Sequence, residues 1–157
     1  MVGTGKGAEN GILIKSAESL ETAHTIQTVV LDKTGTVTEG KPRVTDVITV
    51  QGVSEQQLLA AAASIEKPSE HPLAEAIVEE ASNRGVSLYS VQSFETVAGQ
   101  GIKAVLDGKA LLAGNRKMME QNQVPMNEFT QTGDTLSEQG KTPLFFAQDG
   151  KMMGVIA

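Results

Sequence analysis

The sequence predicts an α/β chain: an antiparallel sheet of about six strands flanked by helices, preceded by a short α/β segment. Three observations predict it. Two pairs of strand-like runs are each joined by an Asp-Gly dipeptide, Asp107-Gly108 and Asp149-Gly150, the residue pair that type I′ hairpins favour. Two helical stretches open on start signals, Ser54-x-x-Gln57 and Pro72. Nearer the N-terminus, a β-branched apolar run at 28–31 leads straight into Asp32-Lys33-Thr34-Gly35-Thr36, which puts a carboxylate at the carboxyl end of a strand.

In chain order, residues 1–15 begin with Gly3-Thr4-Gly5-Lys6-Gly7. A lysine among glycines has the look of a phosphate loop, but Gly7 stands where Ser or Thr must follow Lys6, so the stretch reads as a flexible connector. Residues 16–24 read as a short helix with Ser16 as N-cap and Glu18 in its first turn. The run at 28–31 reads as a buried strand. Gly40-Lys41-Pro42 breaks structure and marks a domain exit, and 44–50 has strand character through Val44, Val47, Ile48 and Val50. The helix opened by Ser54 runs through Leu58, Leu59, Ala62 and Ile65, its alanines leaving room for a close neighbour. Ser69 can cap the next helix, which starts at Pro72, carries Leu73, Ile77 and Ala81 on one face and ends near Gly85. Strands follow at 91–97, 102–106 and 110–113. A helix at 116–121 and another at 127–139, weakened by Gly133 and closed by Gly140, precede strands at 143–148 and 151–157.

Composition narrows the function. A chain of 157 residues makes one ordinary domain, or a small domain with a fragment of another. With 39% hydrophobic and 20% charged residues it has the make-up of a soluble globular protein, and with 3% aromatics its core must be Val, Ile, Leu, Ala and Met. The net charge of −6 argues against a nucleic-acid or anionic-membrane surface, though not against a local phosphate site. The absence of cysteine excludes disulfides and thiolate metal sites, and two well-separated histidines argue against structural zinc. The longest small-apolar run, 58–65, is far short of the roughly 20 residues that span a bilayer, and no signal-peptide pattern is present.

The chemistry begins at Asp32. A bare Asp-Lys pair would read as an Asp-initiated turn. Five residues in this order after an apolar strand read as a nucleophile: the carboxylate attacks phosphorus, Lys33 neutralises charge, Thr34 and Thr36 offer hydroxyls, and Gly35 lets backbone approach the bound group. Asp-Lys-Thr-Gly-Thr resembles the phosphorylation motif of P-type ATPases, ion pumps that pass through an aspartyl phosphate. Phosphatases of the same haloacid dehalogenase-like fold carry a second Asp two residues after the nucleophile; here Thr34 stands there. Without that general acid and base the phosphoenzyme lasts long enough to drive a conformational change. A free-standing phosphatase is therefore disfavoured.

The second informative stretch is Glu66-Lys67-Pro68-Ser69-Glu70-His71-Pro72-Leu73-Ala74. His71 precedes a helix, where the helix dipole favours a neutral imidazole that can stack on a purine or donate to it. Taken alone it would be a solvated helix-entry residue. Following the Asp32 motif, it resembles the adenine-binding signature of heavy-metal pumps. Ala98-Gly99-Gln100-Gly101-Ile102 is either a tight inter-strand turn or a loop whose glycines admit a nucleotide, and Gly114-Asn115 is either a turn into a helix or a further pair lining the same pocket.

The resemblance covers nearly the whole chain and implies the following. Residues 1–41 would be the N-terminal part of a haloacid dehalogenase-like phosphorylation domain, 42–153 a nucleotide-binding domain, and 154–157 the start of the return. Asp32 would accept phosphate, assisted by Lys33 and Thr34, with Asp32 and Thr34 part of a magnesium site. Glu66, His71, Gly99, Gly101, Ile102, Gly114 and Asn115 would form the ATP pocket, Glu66 either bonding the adenine amino group or setting the His71 tautomer. The segment from Gly5 to Lys15 resembles copper pumps, a zinc- or cadmium-type pump being the alternative. The implied cofactors are ATP and Mg²⁺; the implied partners are the pump's other cytosolic and membrane domains and a copper chaperone or metal-binding domain. The location would be the cytosolic face of the cell membrane. The chain itself would bind nucleotide without transporting, as a docking module if chemistry is lost, and its uncovered apolar segments (12–14 and 29–31) would be poorly ordered or drive self-association.

Overall fold

The computed structural model describes residues 2–157, apart from the side chain of Thr34. It has two compact units, Met1–Gly40 and Lys41–Ala157. Their boundary falls on the Gly40-Lys41-Pro42 break.

The first unit contains α1 (Val2–Glu9), α2 (Ala17–His24) and one π-type turn, Lys33–Val37. Ser16 caps α2 as predicted, its hydroxyl accepting from the Ser19 N–H at 3.1 Å. Helix α1 replaces the predicted glycine-rich connector. Its glycines sit where side chains come close: a Cβ on Gly3 would lie 3.0 Å from a δ carbon of Leu20, and one on Gly7 would lie 3.0 Å from Cδ1 of Ile14. The helix forms against the poor helix propensity of glycine, and none of its residues is buried.

The predicted buried strand at 28–31 is a second correction. The run forms no strand, and Val29, Val30 and Leu31 are 69%, 91% and 62% exposed. A strand of this composition is buried only between neighbouring strands with helices over both faces. Among the described residues the first unit holds no strand to pair with it. Ile12 and Leu13 are exposed as well.

The second unit is built on one antiparallel sheet of β1 (Val47–Thr49), β2 (Val91–Val97), β3 (Gly101–Leu106), β4 (Lys109–Gly114), β5 (Leu144–Gln148) and β6 (Lys151–Ile156), ordered β1-β6-β5-β4-β3-β2. Both Asp-Gly hairpins form, with φ of 48° and 76° at Asp107 and Gly108 and of 48° and 75° at Asp149 and Gly150. Positive φ at both central positions is what a type I′ turn requires. Residues 154–156, assigned from sequence to a departing segment, pair within the sheet to both β5 and β1.

Helices cover both faces. On one, α3 (Glu55–Glu66) and α4 (Pro72–Asn83) bury Leu58, Leu59, Ile65 and Ile77 against Ile102, Leu106, Leu111 and Phe146. The capping box at Ser54 and Gln57 forms, and the alanines at 60–63 are all buried. On the other face, α5 (Arg116–Gln121) and α6 (Glu128–Glu138) bury Met118, Met119, Phe129 and Leu136 against Phe145, Ala147 and Val155. Alternate residues of β5 thus serve opposite cores, as strand periodicity dictates. The one buried hydroxyl among the described residues, Ser64, is satisfied: it donates to the Ala60 carbonyl at 2.6 Å and accepts from the Tyr89 N–H at 2.8 Å.

Candidate nucleotide site

The connection between α3 and α4 and the loop between β2 and β3 border one cavity of about 410 Å³. All seven residues predicted for the nucleotide pocket line it: Glu66, His71, Gly99, Gly101, Ile102, Gly114 and Asn115. They come from five separate places in the second unit, and the antiparallel order of β3, β4 and β5 brings them together.

His71 is the N-cap of α4, a role the sequence reading gave to Ser69. Its Nδ1 accepts from the Leu73 N–H at 3.2 Å, while Ser69 accepts from the His71 N–H at 3.3 Å. Pro72 at the first helical position lacks the N–H that would compete for a cap. With its lone pair on Nδ1 engaged, the ring carries its proton on Nε2 and presents a donor and a face. The side chain is exposed.

Glu66 is the last residue of α3 and is 7% exposed. Among the described residues no side-chain hydrogen bond or ion pair holds it. Desolvation pushes its carboxyl up from 4.5 to about 7.

The glycines divide by role. A Cβ on Gly101 would lie 2.0 Å from the Ala113 carbonyl oxygen, and one on Gly114 would lie 2.3 Å from that of Gln100. These two residues are register partners across β3 and β4, so each is glycine because the opposite strand comes close. Gly99 is different: open space surrounds it, and its φ of +67° is what favours glycine there. Asn115 holds the loop they flank. Its Nδ2 donates to the Gly99 carbonyl at 3.0 Å, its backbone N–H donates to the Gln100 carbonyl at 2.9 Å, and its Oδ1 caps α5 by accepting from the Met118 N–H at 3.1 Å. Ile102 contributes to both the cavity wall and the core.

Thr96, Gln100, Thr142 and Leu144 also line the cavity and were missed by sequence reasoning. Gln100 had a signal, its place between two glycines; the other three follow only from strand order. Gln100 Oε1 is shut off from solvent with no hydrogen-bond partner.

The predicted catalytic residues lie in the first unit. Asp32 and Lys33 are exposed, and the side chain of Thr34 is outside the described residues. Lys33–Val37 forms the π-type turn, in which the Thr38 N–H and hydroxyl both donate to the Lys33 carbonyl, at 3.1 and 3.2 Å. Gly35 turns the chain at φ +78°. Among the described residues no three His, Cys, Asp or Glu side chains gather as a metal site. Magnesium at phosphoryl-transfer sites is held by one or two carboxylates together with phosphate oxygens and water, so Asp32 would supply one ligand to a site completed by a bound phosphate.

A family model for haloacid dehalogenase-like hydrolases matches residues 26–156. The probable copper-transporting ATPase PacS of Synechococcus elongatus is 46% identical over 158 aligned positions that take in 100% of this chain and 21% of that protein. The chain thus spans about a fifth of the length of this curated relative. A zinc-transporting PIB-type ATPase in its E2.Pi state superposes with a TM-score of 0.86 at 34% identity, over 96% of this chain and 24% of that one. The catalytic domain of the CPx-ATPase CopB-B, described for its conformational changes upon nucleotide binding, gives a TM-score of 0.66 at 26% identity, over 97% of this chain and 51% of that one.

Proposed function

Since the chain belongs to the haloacid dehalogenase-like hydrolase family, and its relatives in that family are heavy-metal P-type ATPases, we propose that it is part of the ATP-handling portion of such a pump. Residues 42–153 are read as its nucleotide-binding domain and 154–157 as the start of the return to the phosphorylation domain. Residues 1–41 are read as the leading part of its phosphorylation domain, with Asp32 as phosphate acceptor and Lys33 and Thr34 beside it. In the whole pump, transfer of the ATP γ-phosphoryl group to Asp32 would drive metal across the membrane. The observation that carries the reading is the convergence of the seven pocket residues on one cavity.

The cavity suits a nucleoside. Leu73, Ala74 and Leu144 offer an apolar wall, and Glu66 and His71 offer hydrogen bonds beside it; this is the end for a base. The glycine loop, bare of side chains at Gly99, suits the sugar and phosphates. Copper(I) is the metal favoured, through relatives such as the copper-transporting P-type ATPase of Rhizobium leguminosarum at 43% identity; zinc or cadmium is the alternative, through the likeness to the zinc-transporting ATPase. The partners in this reading are the pump's remaining domains and a copper chaperone or metal-binding domain, at the cytosolic face of the membrane. The exposed run at 29–31 is the surface expected to self-associate.

Titration of the chain with ATP, beside His71→Ala, tests the pocket. Loss of the ring should weaken binding roughly tenfold or more, since one stacked or hydrogen-bonded ring contributes about 1–3 kcal/mol. Equal binding by both proteins would remove His71 from the site. Transfer of labelled γ-phosphate from ATP to Asp32 tests the second half: a labelled chain retains the chemistry, and an unlabelled one acts as a nucleotide-binding module.

A further inference from the structure

Glu66 is placed where a charge is hard to keep. It is 7% exposed, it ends α3, and among the described residues none donates a hydrogen bond to its carboxyl or pairs with it. The carboxyl end of a helix carries partial negative charge, which disfavours an anion there. A buried carboxylate with neither a cation nor hydrogen-bond donors takes up a proton instead. The charged and titratable groups bordering it do little to offset this. His71 is the only other one lining the nucleotide cavity, and its Nδ1 is engaged with the helix it caps. On the outer side, Lys67, Glu75 and Glu79 share a second cavity with Glu66, and two of these three are themselves carboxylates. Glu79 is paired with Lys41 at 2.8 Å.

Resting on the nucleotide-pocket reading above, we infer that Glu66 reads the adenine base as a neutral carboxylic acid: its hydroxyl donates to a ring nitrogen while its carbonyl oxygen accepts from the neighbouring amino group. Adenine presents an acceptor and a donor side by side on each of its two polar edges, at N1 and N6 and at N7 and N6. Asparagine and glutamine read adenine with the same alternation. A protonated glutamate matches it, and an ionised one does not: as an acceptor alone it meets the ring nitrogen lone pair with its own. The inference makes base recognition proton-linked. Binding selects the protonated form, so apparent affinity scales with the fraction of chain that carries the proton. The rise of the carboxyl to about 7 puts this change near neutrality.

The test uses the whole 157-residue chain and adenosine, which has no phosphate titrating in this range. Dissociation constants are measured by NMR at pH 6 and pH 8 for wild type, Glu66→Gln and His71→Ala. Wild type should bind roughly tenfold more weakly at pH 8 than at pH 6, the change in protonated fraction across a carboxyl titrating near neutrality. Glu66→Gln, whose amide keeps a donor beside an acceptor and has no proton to lose, should bind with the same affinity at pH 6 as at pH 8. Wild-type binding that is level or tighter at pH 8, with Glu66→Gln weaker at both, overturns the inference and leaves the pocket standing. Adenosine binding at neither pH, or unaffected by His71→Ala, overturns the pocket reading and the inference with it.

Discussion

Asn115 ties the end of β4 to the loop before β3, its Nδ2 donating to the Gly99 carbonyl at 3.0 Å while its Oδ1 caps α5. One amide therefore shapes the glycine loop and starts a helix. Asn115→Asp keeps an oxygen for the cap but replaces the loop donor with an acceptor facing a carbonyl. It should cost about 1 kcal/mol of stability, the value of a typical hydrogen bond, and weaken ATP binding more than tenfold. Asn115→Ala loses the cap as well and should cost about 2 kcal/mol in total. Urea denaturation with parallel ATP titration separates the two variants.

The three site glycines should not respond alike to alanine. At Gly101 and Gly114 the new methyl would enter the opposite strand, 2.0 and 2.3 Å from carbonyl oxygens, so strands β3 and β4 would have to part. Each change should destabilise by more than about 3 kcal/mol, at the upper end of overpacking costs. At Gly99 nothing is struck, and only the positive φ is strained, at about 1–2 kcal/mol. Thermal melts of the three variants should rank Gly99→Ala as the mildest. Equal losses would mean that the β3–β4 pairing relaxes more readily than its geometry implies.

His71 has one observed role, as the N-cap of α4, and one proposed role, in the nucleotide pocket, and substitution can separate them. Asparagine is a strong N-cap residue, so His71→Asn keeps the start of α4 while removing the ring. His71→Ala removes both, at about 1 kcal/mol for the cap. Both should bind ATP roughly tenfold more weakly than wild type, with only the alanine variant losing stability. A full-strength His71→Asn would show that the ring contributes through the helix rather than through the base.

Much of this arrangement was legible in the sequence, for local reasons. The hairpins were, because Asp-Gly at a strand end has few other uses, and so were the helix starts at Ser54 and Pro72. The pocket residues were legible through their resemblance to a known signature, whereas the cavity they form depends on a strand order that no local pattern encodes. The run at 28–31 shows the limit most plainly. Its composition says that it belongs in a sheet, but a strand needs neighbours, and composition does not supply them. Helix α1 departs in the opposite sense: its glycines predict a connector, and a helix stands there with Leu20 beside Gly3 and Ile14 beside Gly7.

Gly133 illustrates the same limit and yields a prediction of its own. Within α6 it reads as a weak point, and alanine there should gain up to about 1 kcal/mol of helix propensity. In the fold, a Cβ at 133 would lie 2.6 Å from Cζ of Phe145, a ring that is 2% exposed. Packing should win, because displacing a ring in a full core costs about 1–3 kcal/mol. Gly133→Ala should therefore lower the urea midpoint; a raised midpoint would show that Phe145 has room to move.

The raised carboxyl of Glu66 also fixes how stability depends on pH without any ligand. Its ordinary value of 4.5 applies to the unfolded chain, and burial raises it to about 7 in the folded one. Between those values the folded protein holds a proton that the unfolded chain has released. Stability contributed by this group is therefore complete below pH 4.5, falls as pH rises, and levels off above pH 7. The difference of about 2.5 pH units corresponds to about 3 kcal/mol at 1.36 kcal/mol per unit. Glu66→Gln has no proton to lose, so its advantage over wild type should grow from pH 5 to pH 8 by about 2.5 kcal/mol, part of the change having occurred already by pH 5. Urea unfolding of both proteins at the two values measures it. A constant difference between them would mean that Glu66 ionises in the folded protein as it does in the unfolded chain, and that the cavity is wetter than its lining implies.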